Sequence, residues 1–414
     1  MDLSYIQDCP SCGAPIEVDE ADKVVECRYC DVRNYMVNSG PLRFVLPDMI
    51  PDSVDEEKIF HIPYLRFKGH IYSCTGSGLQ HTIVDTTQLG FAGSALPASL
   101  GLRPQAMRIR LVAADNRGRF LRLTEQTKDI FFKAANLTTA FGAKQKAPLY
   151  HRAFIGETVS FIYLPTYSKD DRLFDGVLNR PLAPGAAVDD LLKDVAVPGK
   201  QWLPRFITTL CPHCAALMSG ARDSLVMQCC NCESLWREKK GRFERLAFGF
   251  VPADRGDVYL PFWRIVADVD GLRMGSFADF LRLTNHPVVI RAEHEKMEHS
   301  FWVPAFKIRP KYFLKTAKNI TVSQNKIPEK SPEMRRNLYP VTMPLTEAVQ
   351  SLKAVLANSV VNKNMFMPSL PRIKIGQNTA ELLYLPFHRL GQDLIQDQTS
   401  VTLNSKVLYY GRSM

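Results

Sequence analysis

Cysteine shows the clearest chemical pattern in this chain. Eight of the ten cysteines form two groups with identical spacing, in which two Cys-x-x-Cys pairs are separated by fourteen residues. Four thiolates are the ligand set of a tetrahedral structural zinc site, and this spacing is typical of a zinc ribbon. The two predicted ligand sets are Cys9, Cys12, Cys27 and Cys30, and Cys211, Cys214, Cys229 and Cys232.

Other chemistries of paired cysteines fit this pattern less well. A redox dithiol needs only one Cys-x-x-Cys pair, whereas here two pairs recur at matched spacing. Rubredoxin-like iron binding uses the same four thiolates, so iron stays the alternative metal. A closed four-cysteine site leaves no position for a substrate or water, and we therefore predict two structural zinc ions.

Tight turns must position these cysteine pairs. We use the word knuckle for each Cys-x-x-Cys pair with the residue that follows it. In the first knuckle Pro10 stiffens the turn, and Gly13 tolerates the positive φ that lets backbone N–H groups point at sulfur. Residues 24–26 read as a strand that leads into the second knuckle, and His213 in the third is predicted to face solvent.

The similarity between the two halves of the chain extends beyond the cysteines. The β-branched and aromatic run at 59–67 reads as a strand, and 258–265 matches it after the second ribbon. An alternating strand at 107–112 has a weaker counterpart at 301–308, and Ile-Gly-Glu at 155–157 recurs as Ile-Gly-Gln at 375–377. Matches in the same order indicate an ancestral duplication with halves near 1–200 and 201–414.

We predict a mainly β (α+β) fold, in which each of two four-cysteine zinc ribbons is followed by a β-rich domain. The predicted boundaries are 1–48 for the first ribbon, 49–180 for the first β-rich domain, 181–204 for a linker, 205–250 for the second ribbon and 251–414 for the second β-rich domain. Helices are predicted at 345–358, 277–283, 128–135 and 188–195. Pro63 and Pro261 predict that their strands are edge strands or begin there.

The composition is that of folded protein, with 46% hydrophobic and 23% charged residues. The length of 414 residues suggests roughly two to four domains. The N-terminus has neither the basic start nor the apolar run of a signal peptide, and no stretch is long enough to span a bilayer. Because metal-bound thiols suit a reducing compartment, we expect a cytoplasmic protein without a transmembrane segment.

The positive charge of the chain is concentrated in one segment. The formal net charge of +10 falls to +6 when two metal sites contribute −2 each. Residues 307–336 contain nine Lys and Arg against two Glu, which is typical of a solvated loop or strand face, or of a surface for an anionic partner. The candidate surface is Lys307, Arg309, Lys311, Lys315, Lys318, Arg335 and Arg336.

No arrangement of residues predicts catalysis. The chain has no P-loop, no dinucleotide fingerprint and no Gly-x-Ser-x-Gly elbow. His294 and His299 are five residues apart, about 140° around a helix, so they cannot chelate together as the histidines of a zincin do. We interpret that stretch as a charged surface turn or short helix, and the protein as non-enzymatic.

The ribbons resemble the transcription-factor-type zinc ribbons of many bacterial proteins, through Cys9-Pro-Ser-Cys12-Gly13 and the matched knuckles. The run Tyr-Leu-Pro-Phe-Trp at 259–263 is similar to bacterial cytoplasmic proteins in which a Pro-Phe-Trp strand follows a ribbon. Members of that group are associated with flotillin-like and phage-shock-like membrane-stress proteins, which implies assembly at a membrane. The first half departs from this pattern with Pro63-Tyr64-Leu65, and the third knuckle has Ala215 instead of glycine.

Two functions remain open. The first is an adaptor or scaffold that joins protein partners in a cytoplasmic assembly, with a membrane-peripheral assembly as one form of this hypothesis. The duplicated, β-rich organisation and the absence of a predicted catalytic arrangement favour this function. The alternative is a nucleic-acid-binding ribbon protein that uses the basic 307–336 segment, with anionic lipid as a further ligand of that segment. The aromatic residues Tyr64, Phe67, Phe262 and Trp263 are predicted to lie in the core rather than at an interface.

Overall fold

The computed structural model describes residues 3–90, 96–113, 115–123, 148–184, 195–196, 198–199, 202–331 and 333–412. The fold is mainly β with a smaller helical part, and the two four-cysteine clusters lie in two similar regions, which confirms the predicted fold class. In the described part of the chain, no helix has the length and apolar character needed to cross a membrane.

Fourteen strands precede the second ribbon among the described residues. They are β1 (Ser4–Asp8), β2 (Pro15–Asp19), β3 (Val24–Glu26), β4 (Arg33–Val37), β5 (Leu42–Val45), β6 (Ile59–Thr75), β7 (Gly78–Leu89), β8 (Arg110–Leu111), β9 (Arg119–Leu121), β10 (Leu149–Lys169), β11 (Arg172–Asp175), β12 (Arg180–Pro184), β13 (Val195–Ala196) and β14 (Arg205–Thr208).

The remaining strands belong to the second half. They are β15 (Val226–Cys229), β16 (Ser234–Lys239), β17 (Arg242–Leu246), β18 (Phe248–Phe250), β19 (Val258–Asp270), β20 (Phe301–Pro304), β21 (Lys374–Leu390), β22 (Asp393–Gln396) and β23 (Val401–Asn404). The α-helices are α1 (Arg103–Ala106), α2 (Phe277–Thr284), α3 (Ala292–Lys296), α4 (Pro310–Val322), α5 (Leu345–Ser359), α6 (Lys363–Phe366) and α7 (Ser405–Gly411), with 3-10 turns at Glu56–Lys58, Gln324–Lys326 and Met367–Arg372.

The chain divides into two compact units. The first contains Met1–Gly69, Val84–Lys144 and Glu157–Thr208, and the second contains His70–Ile83, Gln145–Gly156 and Thr209–Met414. Each unit therefore includes one complete set of four paired cysteines. The domain boundaries given above stay a prediction.

The same strand order occurs in the main sheet of each half. In the first half the order β12-β11-β10-β6 is continued by β9 and β13, and β5 pairs in parallel with β10. In the second half the order β23-β22-β21-β19 is continued by β20, and β18 pairs in parallel with β21. The short strand after each ribbon therefore joins the matching long strand, as expected for a duplicated unit.

Aromatic and branched side chains fill the cores of both units. Tyr64 and Phe67 of β6 are fully buried, and Phe262 and Trp263 of β19 are buried as well. Removing a side chain of this size from water stabilises a fold by roughly 1.5–3 kcal/mol. These residues are core residues, as predicted.

The prolines in the long strands do not mark sheet edges. Pro63 lies within β6 and Pro261 within β19, and both strands have neighbours on two sides. The carbonyl of Pro63 accepts from Gly90 N just beyond β7, and that of Pro261 accepts from Ala305 N just beyond β20. The missing N–H therefore faces the end of a neighbouring strand, so the edge prediction was wrong.

Two predicted helices are confirmed, and the longest of the helices that were not predicted is α4. Helix α5 covers 345–359, and α2 begins at a capping box in which Ser276 accepts from Asp279 N. The predicted 128–135 helix and all but the last residue of the predicted 188–195 helix lie outside the described residues. Residue 195 is described and begins strand β13. Helix α4 lies in the basic segment that was interpreted as a loop or strand face. The strand predicted at 107–112 is present only at Arg110–Leu111.

A buried ion cluster fixes the first ribbon to its sheet. Arg66 on β6 is fully buried and binds Asp85 on β7 through two nitrogens, with both N–O distances at 2.8 Å. Its third nitrogen contacts Glu20, which follows β2 of the ribbon and is also buried. Because one guanidinium serves two carboxylates, the cluster is a geometric constraint on where the ribbon sits in this unit.

Candidate metal centres

Each knuckle is closed by a short pattern of backbone hydrogen bonds. In the first, Cys9 N donates to Ala14 O at 2.8 Å and Gly13 N donates to Cys9 O at 2.9 Å. Cys27 N and Asp31 N repeat these contacts in the second knuckle, with partners Val32 O and Cys27 O. The turn directs backbone N–H groups at sulfur, since Ser11 N lies 3.4 Å from Cys9 Sγ.

The residue after each Cys-x-x-Cys pair adopts a left-handed conformation. Its φ is +74° at Gly13, +54° at Asp31, +59° at Ala215 and +48° at Glu233. Only the first knuckle uses glycine, the residue that adopts this conformation without steric cost. The third knuckle therefore carries backbone strain of about 1–2 kcal/mol at Ala215.

The eight predicted cysteines converge into two compact clusters. Within each, the four sulfur atoms lie within 4.8 Å of one another. Two of these distances in the first cluster are 3.8 Å, Cys9 to Cys30, and 3.6 Å, Cys12 to Cys27. In the second cluster, Cys211 to Cys232 is 3.6 Å and Cys214 to Cys229 is 3.4 Å.

These distances fit a tetrahedral metal site and not a disulfide. Four sulfurs at about 2.3 Å from a central metal ion are about 3.8 Å apart, whereas a disulfide bond is about 2.05 Å long. All ten cysteines are free. Each cluster is therefore arranged to hold one structural metal ion, and the chain to hold two.

The electrostatics of the knuckles favour the thiolate at some of the cysteines and the thiol at others. Burial raises the pKa of Cys9, but the backbone N–H groups of Ser11 and Cys12 and the neighbouring thiols lower it to about 7. At the second cluster, a hydrogen bond from the Asn231 side chain is the main reason that the pKa of Cys214 falls to about 6. By contrast, burial and the neighbouring thiols raise the pKa of Cys229 to about 12, and at Cys30 the Val32 backbone N–H is outweighed by the same causes, which raise the pKa to about 12. Cysteine binds metal as the thiolate, so each cluster has a ligand ready near neutral pH and others that need the positive charge of a metal ion.

A small sheet supports each second pair of cysteines, and the two sheets differ in origin. In the second ribbon, consecutive strands β15, β16 and β17 form it. In the first ribbon the order is β3-β4-β14, so the third strand comes from Arg205–Thr208, far along the chain. Residues 205–208 were predicted to belong to the second ribbon, and no local signal in the sequence indicates their pairing with β4.

The two cysteines outside the clusters lie in contrasting surroundings. Cys74 is buried, and burial raises its pKa to about 12. Cys230 is exposed although it follows Cys229 directly. His213 is exposed, as predicted for the third knuckle.

The histidines of the 294–299 stretch do not lie on the surface. His294 belongs to α3, which confirms a short helix, but both His294 and His299 are buried. His299 is stacked on Phe280 with ring centroids 4.3 Å apart, and burial lowers its pKa to about 3. Both rings are thus core residues, and the prediction of a surface stretch was wrong for them.

The structure divides the predicted basic surface into separate parts. Lys311 and Lys315 are exposed on α4, with Lys318 one turn further and half-buried. Lys307 and Arg309 precede the helix, while Arg335 pairs with Glu333 at 3.2 Å and Arg336 is exposed. Only the three helix lysines form a regular row.

Sequence analysis missed the polar side chains around the second metal cluster. Ser234 Oγ lies 2.9 Å from Cys232 Sγ, and Trp236 Nε1 donates to Ser234 Oγ at 2.8 Å. The matched positions in the first ribbon are Val32 and Asn34. Aligning the two ribbons residue by residue shows this difference, which the cysteine spacing alone does not reveal.

Comparisons of this chain with protein-family models, with curated proteins and with solved structures give no match. The similarity to bacterial ribbon proteins with a Pro-Phe-Trp strand therefore rests on the quoted residues alone.

Replacing one ligand in either cluster should remove one metal ion and leave the other. We expect Cys9→Ser and Cys211→Ser each to bind one ion per chain where the parent binds two, because a site with three thiolates loses most of its binding free energy. Elemental analysis after gel filtration checks this. Two ions in either variant would contradict it.

The left-handed residues after the first and third Cys-x-x-Cys pairs provide a matched pair of substitutions. Ala215→Gly should stabilise the second ribbon by about 1 kcal/mol because it relieves the positive-φ strain, and Gly13→Ala should destabilise the first ribbon by a similar amount. No atom lies within 4 Å of a Cβ built at Gly13, so the effect there is conformational and not a clash.

The free energies are obtained from the chelator concentration that removes half of the metal from each ribbon, in chains carrying only that site. Shifts of the same sign in the two variants would contradict the strain argument.

Proposed function

We propose that this protein is a non-enzymatic adaptor of the cytoplasm, in which two structural zinc ions hold rigid the surfaces that bind protein partners. Zinc is the proposed metal because the four-thiolate site is closed and tetrahedral, and iron is the alternative. A closed site supplies rigidity and no reaction. The function of each ribbon then depends on the side chains that its knuckles display.

Exposed apolar side chains on the ribbons support a role in protein contacts. On the first ribbon, Ile6 is 64% and Tyr29 is 72% exposed. On the second, Leu210 is 48% and Leu217 is 58% exposed, and these two residues form a β-bridge on either side of the third knuckle. Tyrosine is one of the residue types enriched among interface anchors, and the paired leucines give the second ribbon a continuous apolar surface.

The adaptor proposal predicts loss of partners when these side chains become polar. Tyr29→Ser with Leu210→Ser and Leu217→Ser should retain two metal ions per chain but recover several-fold less of the partner proteins. Affinity purification from cytoplasm, with and without nuclease, measures this. Leu102→Ser is the matched control, because Leu102 is 78% exposed outside both ribbons.

A defined set of partners that resists nuclease and is reduced only in the ribbon variant supports the adaptor. Equal recovery by the ribbon variant and the control would contradict it.

Nucleic-acid binding is the second candidate, and the lysine row of α4 favours it. Lys311, Lys315 and Lys318 lie at intervals of four and three residues, so they share one face of the helix. Among the described residues, no acidic side chain is recorded within ion-pair distance of these three lysines. Partial burial and the nearby Lys363 lower the pKa of Lys318, as expected where positive charge is not compensated.

Reversing this row of charges tests the second candidate. If the chain binds nucleic acid here, glutamate at 311, 315 and 318 should abolish binding and its salt dependence, since each lysine that contacts a phosphate releases a counterion. Fluorescence anisotropy with a single-stranded and a duplex oligonucleotide, between 50 and 200 mM salt, is the measurement. Retained binding with an unchanged salt slope would exclude this surface.

A further inference from the structure

Backbone N–H groups reach sulfur at both metal clusters, but the side chains around sulfur differ between them. At the second cluster, the hydroxyl of Ser234 lies beside Cys232 Sγ, and the indole N–H of Trp236 donates to that hydroxyl oxygen. A metal-bound thiolate has no proton to give, so Ser234 must be the donor to sulfur. Ser234 and Trp236 are both buried, which fixes this chain of hydrogen bonds in place.

A second side chain acts on the same cluster, since Asn231 lowers the pKa of Cys214. Ser234 supplies the side-chain donor whose geometry is defined, at Cys232. Groups that donate to metal-bound sulfur withdraw electron density from it and strengthen the site as a whole.

The first cluster has different residues at these positions. Val32 replaces Ser234 and has no polar side-chain atom, and Tyr29 replaces Asn231 with a side chain that is largely exposed. One of its ligands is also more accessible as a residue, because Cys12 is exposed whereas its counterpart Cys214 is half-buried. The first cluster thus combines one more exposed cysteine with the absence, at the position of Ser234, of a side-chain donor to sulfur.

We infer that the first cluster is the modification site of this protein, where soft electrophiles react with metal-bound thiolates, and that Ser234 and Trp236 protect the second cluster. This inference rests on the metal sites of the proposed function and adds a difference between them. An accessible thiolate without side-chain donors keeps its electron density and is the stronger nucleophile.

The reaction is an addition to an activated carbon–carbon double bond. The thiolate sulfur forms a bond to one carbon, the π pair moves to the neighbouring carbon, and that carbon takes a proton from water. The product is a neutral thioether, so the cluster loses one negative charge and its metal is released. No electrons are lost or gained overall.

Reaction at the first cluster affects the surface that the adaptor proposal assigns to that ribbon. Tyr29 lies between Cys27 and Cys30, so release of the metal removes the support of the knuckle that carries it. Reaction with electrophiles is therefore expected to abolish the partner contact made by the first ribbon.

Alkylation of the zinc-loaded full chain tests the inference. A Cys230→Ser background removes the exposed thiol that is outside the clusters, and zinc is counted before the reaction. N-ethylmaleimide is then added in excess, zinc release is followed with a chromogenic chelator, and labelled cysteines are located by peptide mass spectrometry. We expect one zinc to leave about tenfold faster than the other, with the early labels on the first cluster.

Two substitutions assign the cause. Ser234→Ala should accelerate release of the slow zinc by about tenfold. Ser11→Ala is the matched control, because the contact of Ser11 with Cys9 is made by its backbone N–H and survives the substitution. Equal release rates, early labels on the second cluster, or a slow phase unchanged by Ser234→Ala would overturn the inference. A count below two zinc ions before alkylation would instead refute the proposed metal sites, and the inference with them.

Discussion

The mutual approach of four cysteine sulfurs is the constraint on which each ribbon depends. Sulfur atoms within 4.8 Å of one another would repel strongly as thiolates, and a divalent cation at their centre turns that repulsion into attraction. The knuckles favour this arrangement, because those of the first ribbon direct backbone N–H groups at Cys9 and Cys27 Sγ. The ribbons are small, so the metal supplies stability that a hydrophobic core of this size cannot provide.

Duplication has conserved the framework of the two halves while their details have diverged. The long strands β6 and β19 have matching neighbours, and the short strand after each ribbon pairs in parallel with β10 or β21. The differences lie in what surrounds the metal clusters. The first ribbon takes its third strand from β14 and is attached through Arg66, whereas the second builds its sheet locally and surrounds its cysteines with polar side chains.

The metal ligands could be predicted from sequence because their pattern is local, with all four cysteines of a ribbon inside a short span. The core role of Tyr64 and Phe262 and the helix at α5 also follow from local pattern. The pairing of Arg205 with Val37 could not be predicted, because it joins distant parts of the chain and depends on tertiary packing. Helix α4 was not predicted because its lysines indicated a solvated loop or strand face. Phe313, Ala317 and Ile320 recur at helical spacing and form the buried face of the helix. The edge prediction from Pro63 and Pro261 was wrong because proline needs only a position where no partner requires its N–H. The end of a neighbouring strand provides such a position as well as a sheet edge does.

X-ray absorption at the metal edge, together with elemental analysis of protein purified from its native cells, tests the central claim most directly. The proposed function predicts two zinc ions per chain, each surrounded by the four sulfurs of one cluster at about 2.3 Å and by no oxygen or nitrogen ligand. A single ion per chain, a mixed sulfur and oxygen shell, or iron in place of zinc would contradict the account of two closed structural zinc sites.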